Sequence, residues 1–188
     1  MSLTAYISRS ISLMEDTRET GLDDAVEDAI QRIHGALAER KPLLICGNGG
    51  SAADAMHIAG ELVGRYKRER SGLKALALGT DTAVTTAWSN DYSYDDVFAR
   101  QVEALGDAGG VVWGLSTSGE SENVVRALLK GRQMGMYGIG LTGEGGGRVA
   151  AAADVCLAVP VNDTPHIQEI HTCIYHYICE QVEARIAG

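Results

Sequence analysis

The chain has 188 residues, of which 45% are hydrophobic and 22% charged, a composition typical of a folded globular protein and not of a disordered one. Its formal net charge of -9 argues against a nucleic-acid-binding surface, because such a surface needs a basic stripe. The sequence contains no apolar stretch of transmembrane length, and its N-terminus lacks the pattern of a signal peptide. We therefore expect a cytoplasmic protein with neither a nucleic acid nor a membrane as partner.

The predicted elements alternate between helices and strands. Apolar residues at helical spacing predict a helix over residues 22–40, which Pro42 terminates. Later helical patterns cover about 52–65, 93–105, 121–134, 146–152 and 164–187. Five short apolar runs lack the polar alternation of a half-exposed strand, as expected for a parallel sheet buried on both faces: 43–46, 74–78, 111–116, 136–142 and 155–160. The pattern predicts an α/β fold in one domain, residues 1–188, with a doubly wound five-stranded parallel sheet flanked by helices and long N- and C-terminal helices.

The four cysteines contain no closely spaced CxxC pair. Cys46 and Cys156 lie inside strand-like apolar runs, where a thiol usually acts as a small buried hydrophobic group. This placement favours reduced, structural cysteines over a disulfide or a zinc-thiolate site.

In open parallel sheets, ligands bind beyond the carboxyl ends of the strands, where the strand order reverses. Three loops therefore qualify: "GNGGS" (47–51), "GTDT" (79–82) and "STSGES" (116–121). The first loop fits a loose dinucleotide fingerprint, which expects an acidic residue about 20 positions later. The candidate, Asp81, lies more than 30 residues beyond Gly47, so the match is weak. Two other interpretations of this turn remain: a sugar-phosphate site, or a tight turn that binds no ligand.

The third loop places four hydroxyl groups directly before a predicted helix: Ser116, Thr117, Ser118 and Ser121. Helix capping by Ser121, with Asn123 nearby, accounts for one of these groups and not for all four. A helix N-terminus offers free N–H donors and a partial positive charge, so it can hold a phosphate without a lysine. We therefore expect a phosphate cradle here, in spite of the acidic net charge.

Two helices carry further polar groups of chemical interest. His57 and Glu61 are four residues apart and so share one helical face, although an isolated HxxxE pattern is more often an ordinary surface pair. Gln168, His171 and His176 lie in the last helix among isoleucines, so part of this polar row must approach the core. Such groups could form a mixed nitrogen and oxygen metal site if the two helices meet.

Four segments together resemble the phosphoheptose isomerases of the sugar isomerase (SIS) group. The similarity covers nearly the whole chain, in "CGNGGSAADAMHIAGELVGRY" (46–66), "SNDYSYDDVFARQV" (89–102), "STSGESENVV" (116–125) and "IQEIHTCIYHYICEQVE" (167–183). The STSGxS loop is typical of the whole SIS group, whereas HxxxE combined with the QExH…H helix is more specific.

The resemblance implies an aldose–ketose isomerase. It would convert sedoheptulose 7-phosphate into D-glycero-D-manno-heptose 7-phosphate through an enediol or enediolate, the first step toward heptose units of bacterial surface polysaccharide. Glu61 is the expected base and His176 the expected acid. Zinc is the expected ion, with ligands His57, Glu61, Gln168 and His176. The matched substrate-binding positions are Asn48, Gly49, Gly50, Ser51, Glu61, Arg65, Asn90, Asp91, Ser116, Thr117, Ser118, Ser121 and Gln168.

The resemblance also implies a homotetramer with active sites at the subunit interfaces. One departure concerns "TPHIQE": many family members have an arginine, sometimes preceded by an aspartate, where this chain has Pro165 and His166. This difference bears on substrate selectivity. The alternatives are a non-catalytic SIS regulator of the type that binds the replication initiator, which lacks the equivalents of Glu61 and His176, and an isomerase or sensor for another sugar phosphate.

Overall fold

The computed structural model describes all 188 residues and contains one sheet of five parallel strands. The strands are β1 (Leu43–Cys46), β2 (Ala75–Ala77), β3 (Val111–Ser116), β4 (Tyr137–Thr142) and β5 (Val155–Ala158). Their order across the sheet is β2-β1-β3-β4-β5. The chain therefore runs outward in both directions from the β1/β3 pair, as in other doubly wound folds. The predicted fold class is confirmed, and each predicted strand agrees with its observed bounds to within two residues.

Eight α-helices flank the sheet. They are α1 (Leu3–Arg18), α2 (Asp23–Ala38), α3 (Gly50–Val63), α4 (Thr82–Asp91), α5 (Val97–Leu105), α6 (Glu122–Gln133), α7 (Gly147–Ala152) and α8 (Thr164–Ala187). On one face of the sheet, α2, α3 and α8 bury side chains such as Ile33, Ile58 and Val182. On the other face, α5, α6 and α7 bury side chains such as Val102 and Leu128. All residues of β1 and β3 are buried, which explains why these strands show no polar alternation.

Two helices were not predicted from the sequence. The predicted N-terminal helix over 22–40 corresponds to α2, whereas α1 was missed although Leu3, Ile7, Ile11 and Met14 recur in it at helical spacing. None of the residues of α1 is buried. Helix α4 also has no buried residue, and it begins because the Asp81 carboxylate accepts hydrogen bonds from the N–H groups of Ala83 and Val84. The single helix predicted over 93–105 is in fact a 3-10 turn (Tyr94–Asp96) followed by α5.

The long helix α8 is fixed to the sheet by a buried histidine. His171 is fully buried, and its Nε2 lies 3.1 Å from the carbonyl oxygen of Thr142, the last residue of β4. Burial lowers the pKa of His171 to about 4, so the neutral ring donates its Nε2–H to that carbonyl. The prediction that part of the polar row of α8 enters the core is thus confirmed.

A second buried contact fixes the turn that follows α3. The Glu183 carboxylate of α8 accepts hydrogen bonds from the backbone N–H groups of Tyr66, Lys67 and Arg68, at 2.8, 2.7 and 3.0 Å. Arg70 pairs with the same carboxylate at 3.3 Å, and both side chains are almost fully buried. Burial by itself raises the pKa of Glu183, but the three donors and Arg70 outweigh it and hold the pKa below its ordinary value.

None of the helices combines the length and the apolarity required to cross a bilayer. The four cysteines are all free, as the sequence predicted, and burial raises the pKa of Cys46 to about 12.

The contact between Glu183 and the turn at 66–70 predicts a large stability loss on its removal. We expect Glu183→Gln to lower the free energy of unfolding by about 3 kcal/mol, because it leaves the buried Arg70 without a compensating charge. Urea denaturation of both proteins measures this loss. Since the folded-state pKa of Glu183 is lowered, its contribution to stability is present above its unfolded pKa and is lost as the pH falls through the folded value.

The matched control is Glu180→Gln, which breaks an exposed pair between Glu180 and Lys67 on the same helix. This change should cost less than about 1 kcal/mol. Equal losses in the two variants would contradict the structural role assigned to Glu183.

Candidate active site

A polar cavity of about 310 Å³ lies at the carboxyl ends of β1 and β3, where the strand order reverses. The turn after β1 and the loop after β3 form its walls, and the start of α8 closes one side. Its lining residues are Asn48, Gly49, Gly50, Ser51, Leu115, Ser116, Thr117, Ser121, Thr164 and Gln168. Two of the three loops chosen from the sequence therefore meet at one site.

The loop at 79–82 does not line this cavity, so the expectation that it shares the site is wrong for the single chain. It follows β2, which is the edge strand beyond β1 and lies one strand away from the switch point. Its acidic residue, Asp81, caps α4 and is not placed as a ribose-binding group.

The hydroxyl groups around the cavity form a cluster and leave the helix start uncapped. The Oγ of Ser116 lies 2.9 Å from that of Ser121 and 3.4 Å from that of Ser118. Ser121 is the N-cap residue of α6, but its side chain makes no capping hydrogen bond. Capping therefore does not explain these hydroxyls, and the N-terminal ends of both α3 and α6 adjoin the cavity. Free N–H groups and hydroxyls at a helix start are what an anion needs in the absence of lysine.

Asn48 is held by a reciprocal amide pair. Its Nδ2 donates to Oδ1 of Asn123 at 2.9 Å, and Nδ2 of Asn123 donates to Oδ1 of Asn48 at the same distance. The Tyr94 hydroxyl also donates to Oδ1 of Asn48, at 2.8 Å. In the sequence Asn123 was identified only as a possible capping residue, and Tyr94 was not identified at all. Asn123 is 3% exposed, a burial that only the structure reveals, so no sequence signal identified its pairing with Asn48.

Two glycines of the turn at 47–51 are required by geometry. Gly49 has a φ of 56°, in the left-handed region that side chains disfavour. Gly47 has no room for a Cβ, which would lie 2.7 Å from the backbone carbonyl oxygen of Ser51. Gly50 lies directly against the Gln168 amide of α8, a flexible side-chain end. The turn therefore brings the beginning of α3 into contact with the beginning of α8.

Farther along the same two helices, three potential metal ligands converge. His57 and Glu61 lie one turn apart on α3, and His176 faces them from α8. The Nε2 atom of His57 is 3.0 Å from Oε1 of Glu61 and 3.4 Å from Nε2 of His176. All three ligand atoms lie within 4.8 Å of one another, so the helices do meet as the metal-site hypothesis required.

The spacing of these atoms fits a small divalent metal. Tetrahedral Zn²⁺ with bonds of about 2.0–2.2 Å places neighbouring ligand atoms roughly 3.3 Å apart, close to both observed separations. Two imidazole nitrogens and one carboxylate oxygen suit this ion, and three protein ligands leave a fourth position open, as in catalytic sites. Burial, followed by the nearby His57, lowers the pKa of His176, which favours the neutral ring that a metal requires.

Gln168 lies in the cavity and not in this three-residue cluster. It precedes His176 by eight residues, an axial separation of about 12 Å along α8. Of the four predicted ligands, three therefore form the triad within one chain, and the fourth, Gln168, lies against the glycine turn.

The remaining predicted substrate-binding residues lie outside the cavity lining. Arg65 is largely exposed and pairs with Glu69 at 3.1 Å. Asn90 and Asp91 are exposed at the end of α4, where Nδ2 of Asn90 donates to Oδ1 of Asp91 at 2.9 Å. Within one chain, none of these three residues lines the cavity, and neither does Ser118 of the hydroxyl cluster.

The structure shows the surroundings of Pro165 and His166, the two residues of "TPHIQE" that differ from the family pattern. Pro165 lies in the first turn of α8, where it needs no backbone donor. His166 is 1% exposed: its Nδ1 lies 3.1 Å from Oε2 of Glu169, and its Nε2 lies 3.5 Å from Oδ2 of Asp163. The Tyr6 ring of α1 packs on it at 4.6 Å between centroids. His166 therefore helps to attach α1 to α8.

A family model described as "SIS domain" matches residues 5–143, which defines the class of protein to which this fold and cavity belong. The phosphoheptose isomerase of Crocosphaera subtropica is 48% identical over 181 residues, covering 96% of this chain and 92% of that protein. The solved structure of phosphoheptose isomerase from Neisseria gonorrhoeae is 40% identical, covers 97% of both chains and has a TM-score of 0.91. The chain belongs to the phosphoheptose isomerase family of SIS-domain proteins.

The fold is also shared by a protein of another class. The RpiR transcription factor of Sphaerobacter thermophilus, in its sugar isomerase domain, is 18% identical with a TM-score of 0.68, covering all of this chain and 93% of that one. At that identity the similarity extends to the fold only. The triad on α3 and α8 is therefore more informative about function than the sheet.

The geometry of the triad predicts metal binding. We expect the metal-free protein to take up one Co²⁺ per chain and to show the visible absorption of tetrahedral cobalt, because three ligand atoms are already arranged around one point. Titration followed by absorption spectroscopy measures this binding. His57→Ala should lower the affinity at least tenfold, whereas His34→Ala, on α2, should leave it unchanged. Equal affinities in the two variants would exclude the triad as the binding site.

Proposed function

We propose that this protein interconverts sedoheptulose 7-phosphate and D-glycero-D-manno-heptose 7-phosphate, an early step of bacterial heptose synthesis. The observation that carries this proposal is the two-part site, an anion cavity and a metal-type triad joined by the same pair of helices. The family supports the choice of substrate, since relatives similar over nearly their whole length are phosphoheptose isomerases.

The distance between the two parts suits a long open-chain sugar phosphate. Gly50 at the cavity and His57 at the triad are seven residues apart on α3, an axial distance of about 10 Å. A phosphate held at the cavity would leave the opposite end of an extended seven-carbon sugar near the triad. The serine hydroxyls and the free N–H groups at the start of α6 would hold the dianion there.

The residues of the triad suit the proton transfers of an aldose–ketose isomerisation. We assign to Glu61 the removal of the proton from the carbon next to the carbonyl, and to His176 the proton transfer to and from the sugar oxygens. Zinc, when bound, would polarise the carbonyl and stabilise the negative charge that develops on its oxygen. Glu61 has two carboxylate oxygens, and only Oε1 faces His57, so the second oxygen can act on the substrate while the first serves as a ligand.

We also assign substrate contacts to Gln168, to Asn48 and to the predicted residues outside the cavity. The Gln168 amide and the remaining N–H of Asn48 would contact the substrate between the phosphate and the triad. We assign Arg65, Asn90 and Asp91 to substrate contacts as well, supplied across a subunit interface.

The main alternative is a SIS-domain regulator without catalytic activity. Such a protein needs the fold and the phosphate cavity but has no use for a base and an acid at the triad. Glu61 and His176 are both present, with Glu61 and His57 positioned at 3.0 Å from each other. Their retention favours the isomerase.

We propose that the protein acts as a homotetramer, in which residues 1–188 form one domain and neighbouring chains complete each active site. Helix α1 supports this assembly: Leu3, Ile7, Ile11 and Met14 form an apolar stripe on it, and each is 40% or more exposed. The His57 side chain is 45% exposed and that of Glu61 21%, so the triad is open to a neighbouring chain. We propose that the enzyme acts in the cytoplasm, where a charged sugar phosphate substrate would be retained.

The acid–base assignment predicts the effect of two neutral replacements. Glu61→Gln and His176→Gln should each lower kcat about 10²- to 10⁴-fold, because each changes both a proton-transfer group and a ligand of the triad. Turnover of sedoheptulose 7-phosphate, with circular dichroism as a check of folding, measures the effect. Glu103→Gln, an exposed carboxylate on α5 that pairs with Arg100, should keep normal activity. Near-normal kcat in either triad variant would contradict the assignment.

The proposed assembly predicts that a charge in the apolar stripe separates the chains. Ile11→Asp should reduce the mass measured by light scattering in solution, because the carboxylate would be buried in a subunit contact. Ser12→Asp places the same charge at an exposed position off the stripe and should leave the mass unchanged. An unchanged tetramer in Ile11→Asp would exclude α1 from the interface.

A further inference from the structure

Tyr175 lies behind the triad and takes no part in the chemistry proposed above. Its side chain is on α8 and is 1% exposed, and its hydroxyl oxygen is 3.0 Å from Nδ1 of His57. The same hydroxyl lies 3.4 Å from Oδ1 of Asp54, one turn before His57 on α3. The other oxygen of Asp54 is buried and has no hydrogen-bond partner. A half-buried carboxylate with so few donors depends strongly on the one that it has.

Few hydrogen atoms are available for the hydrogen bonds that link Asp54, Tyr175 and His57. A phenol has one hydrogen to donate, and an ionised carboxylate can only accept. A neutral imidazole carries one hydrogen, so His57 can bind a metal through Nε2 only when the hydrogen lies on Nδ1. In that state Nδ1–H donates to the oxygen of Tyr175, and the Tyr175 hydroxyl donates to Asp54. Each of the three groups then has a partner.

The aromatic ring of Tyr175 adds a second constraint. It meets the ring of His57 edge-on, with centroids 5.4 Å apart and planes at 70°. It meets the ring of His176 in the same manner, at 4.9 Å and 67°. One buried side chain therefore contacts both imidazoles of the triad and restricts their rotation.

We propose that Tyr175, supported by Asp54, is a positioning residue that fixes the ring orientation and the metal-binding tautomer of His57. This inference depends on the metal-dependent function proposed above and adds a role that the triad itself does not supply. Hydrogen-bond partners behind a metal-ligating histidine typically contribute 10- to 100-fold to metal affinity.

Tyr175→Phe tests the proposal, since it keeps the ring and removes only the hydroxyl. We expect the affinity for Zn²⁺, measured on the full chain by competition with a chelating dye, to fall 10- to 100-fold. In the zinc-loaded wild type, nitrogen-15 NMR should show a hydrogen-bonded Nδ1–H on His57, and this signal should broaden or vanish in the variant. A purely structural role would change the melting temperature without changing either of these readouts.

Tyr177→Phe is the matched control, because Tyr177 lies on the same helix and is 52% exposed. The zinc affinity of this variant and its His57 Nδ1–H signal should equal those of the wild type. Asp54→Asn provides a second variant with the phenol intact, for which we expect a several-fold loss of affinity. Unchanged zinc affinity and an unchanged Nδ1–H signal in Tyr175→Phe would overturn this inference alone and leave the isomerase function standing. A wild type that turns over substrate without binding zinc would overturn both the inference and the metal part of the function.

Discussion

The site depends on the packing of α3 against α8 at the carboxyl edge of the sheet. The glycine turn after β1 starts α3 so close to α8 that Gly50 lies directly against the Gln168 side chain. Two buried contacts then fix the far helix: His171 binds the end of β4, and Glu183 binds the turn after α3. Because both helices are fixed at several points along their length, side chains that are over 100 residues apart in sequence face each other at about 3 Å.

This packing also explains how an acidic protein can provide a phosphate cavity. The chain has a net charge of -9, and none of the cavity residues is a lysine or an arginine. The cavity instead combines the N-terminal ends of two helices with a cluster of serine hydroxyls, which offer directed donors and a partial positive charge. A dianionic sugar phosphate is therefore a more suitable ligand than a nucleic acid, whose binding needs many cationic contacts.

Much of the fold was predictable because the strands are buried on both faces and the glycine-rich turns mark their ends. The phosphate cavity was partly predictable for the same reason, since adjacent parallel strands bring their loops together. Helix α1 also carries apolar residues at helical spacing, Leu3, Ile7, Ile11 and Met14, but in a single chain this stripe faces solvent and not the core. The pairing of Asn48 with Asn123, and the contact of Tyr175 with His57, join residues at least 75 positions apart, and no local pattern encodes such contacts. The separation of Gln168 from His176, in contrast, follows from their spacing of eight residues on one helix and could have been predicted from that spacing.

The central claim is that the cavity and the triad act together on one seven-carbon sugar phosphate. The most direct measurement is to incubate the purified protein with sedoheptulose 7-phosphate, with and without a chelator, and to follow the formation of the aldose phosphate by NMR. The isomerase function predicts that the aldose forms, that the chelator suppresses it and that added zinc restores it. Absence of the aldose in both conditions, over a wide range of protein concentration, would contradict the claim and favour the sugar-phosphate-binding regulator.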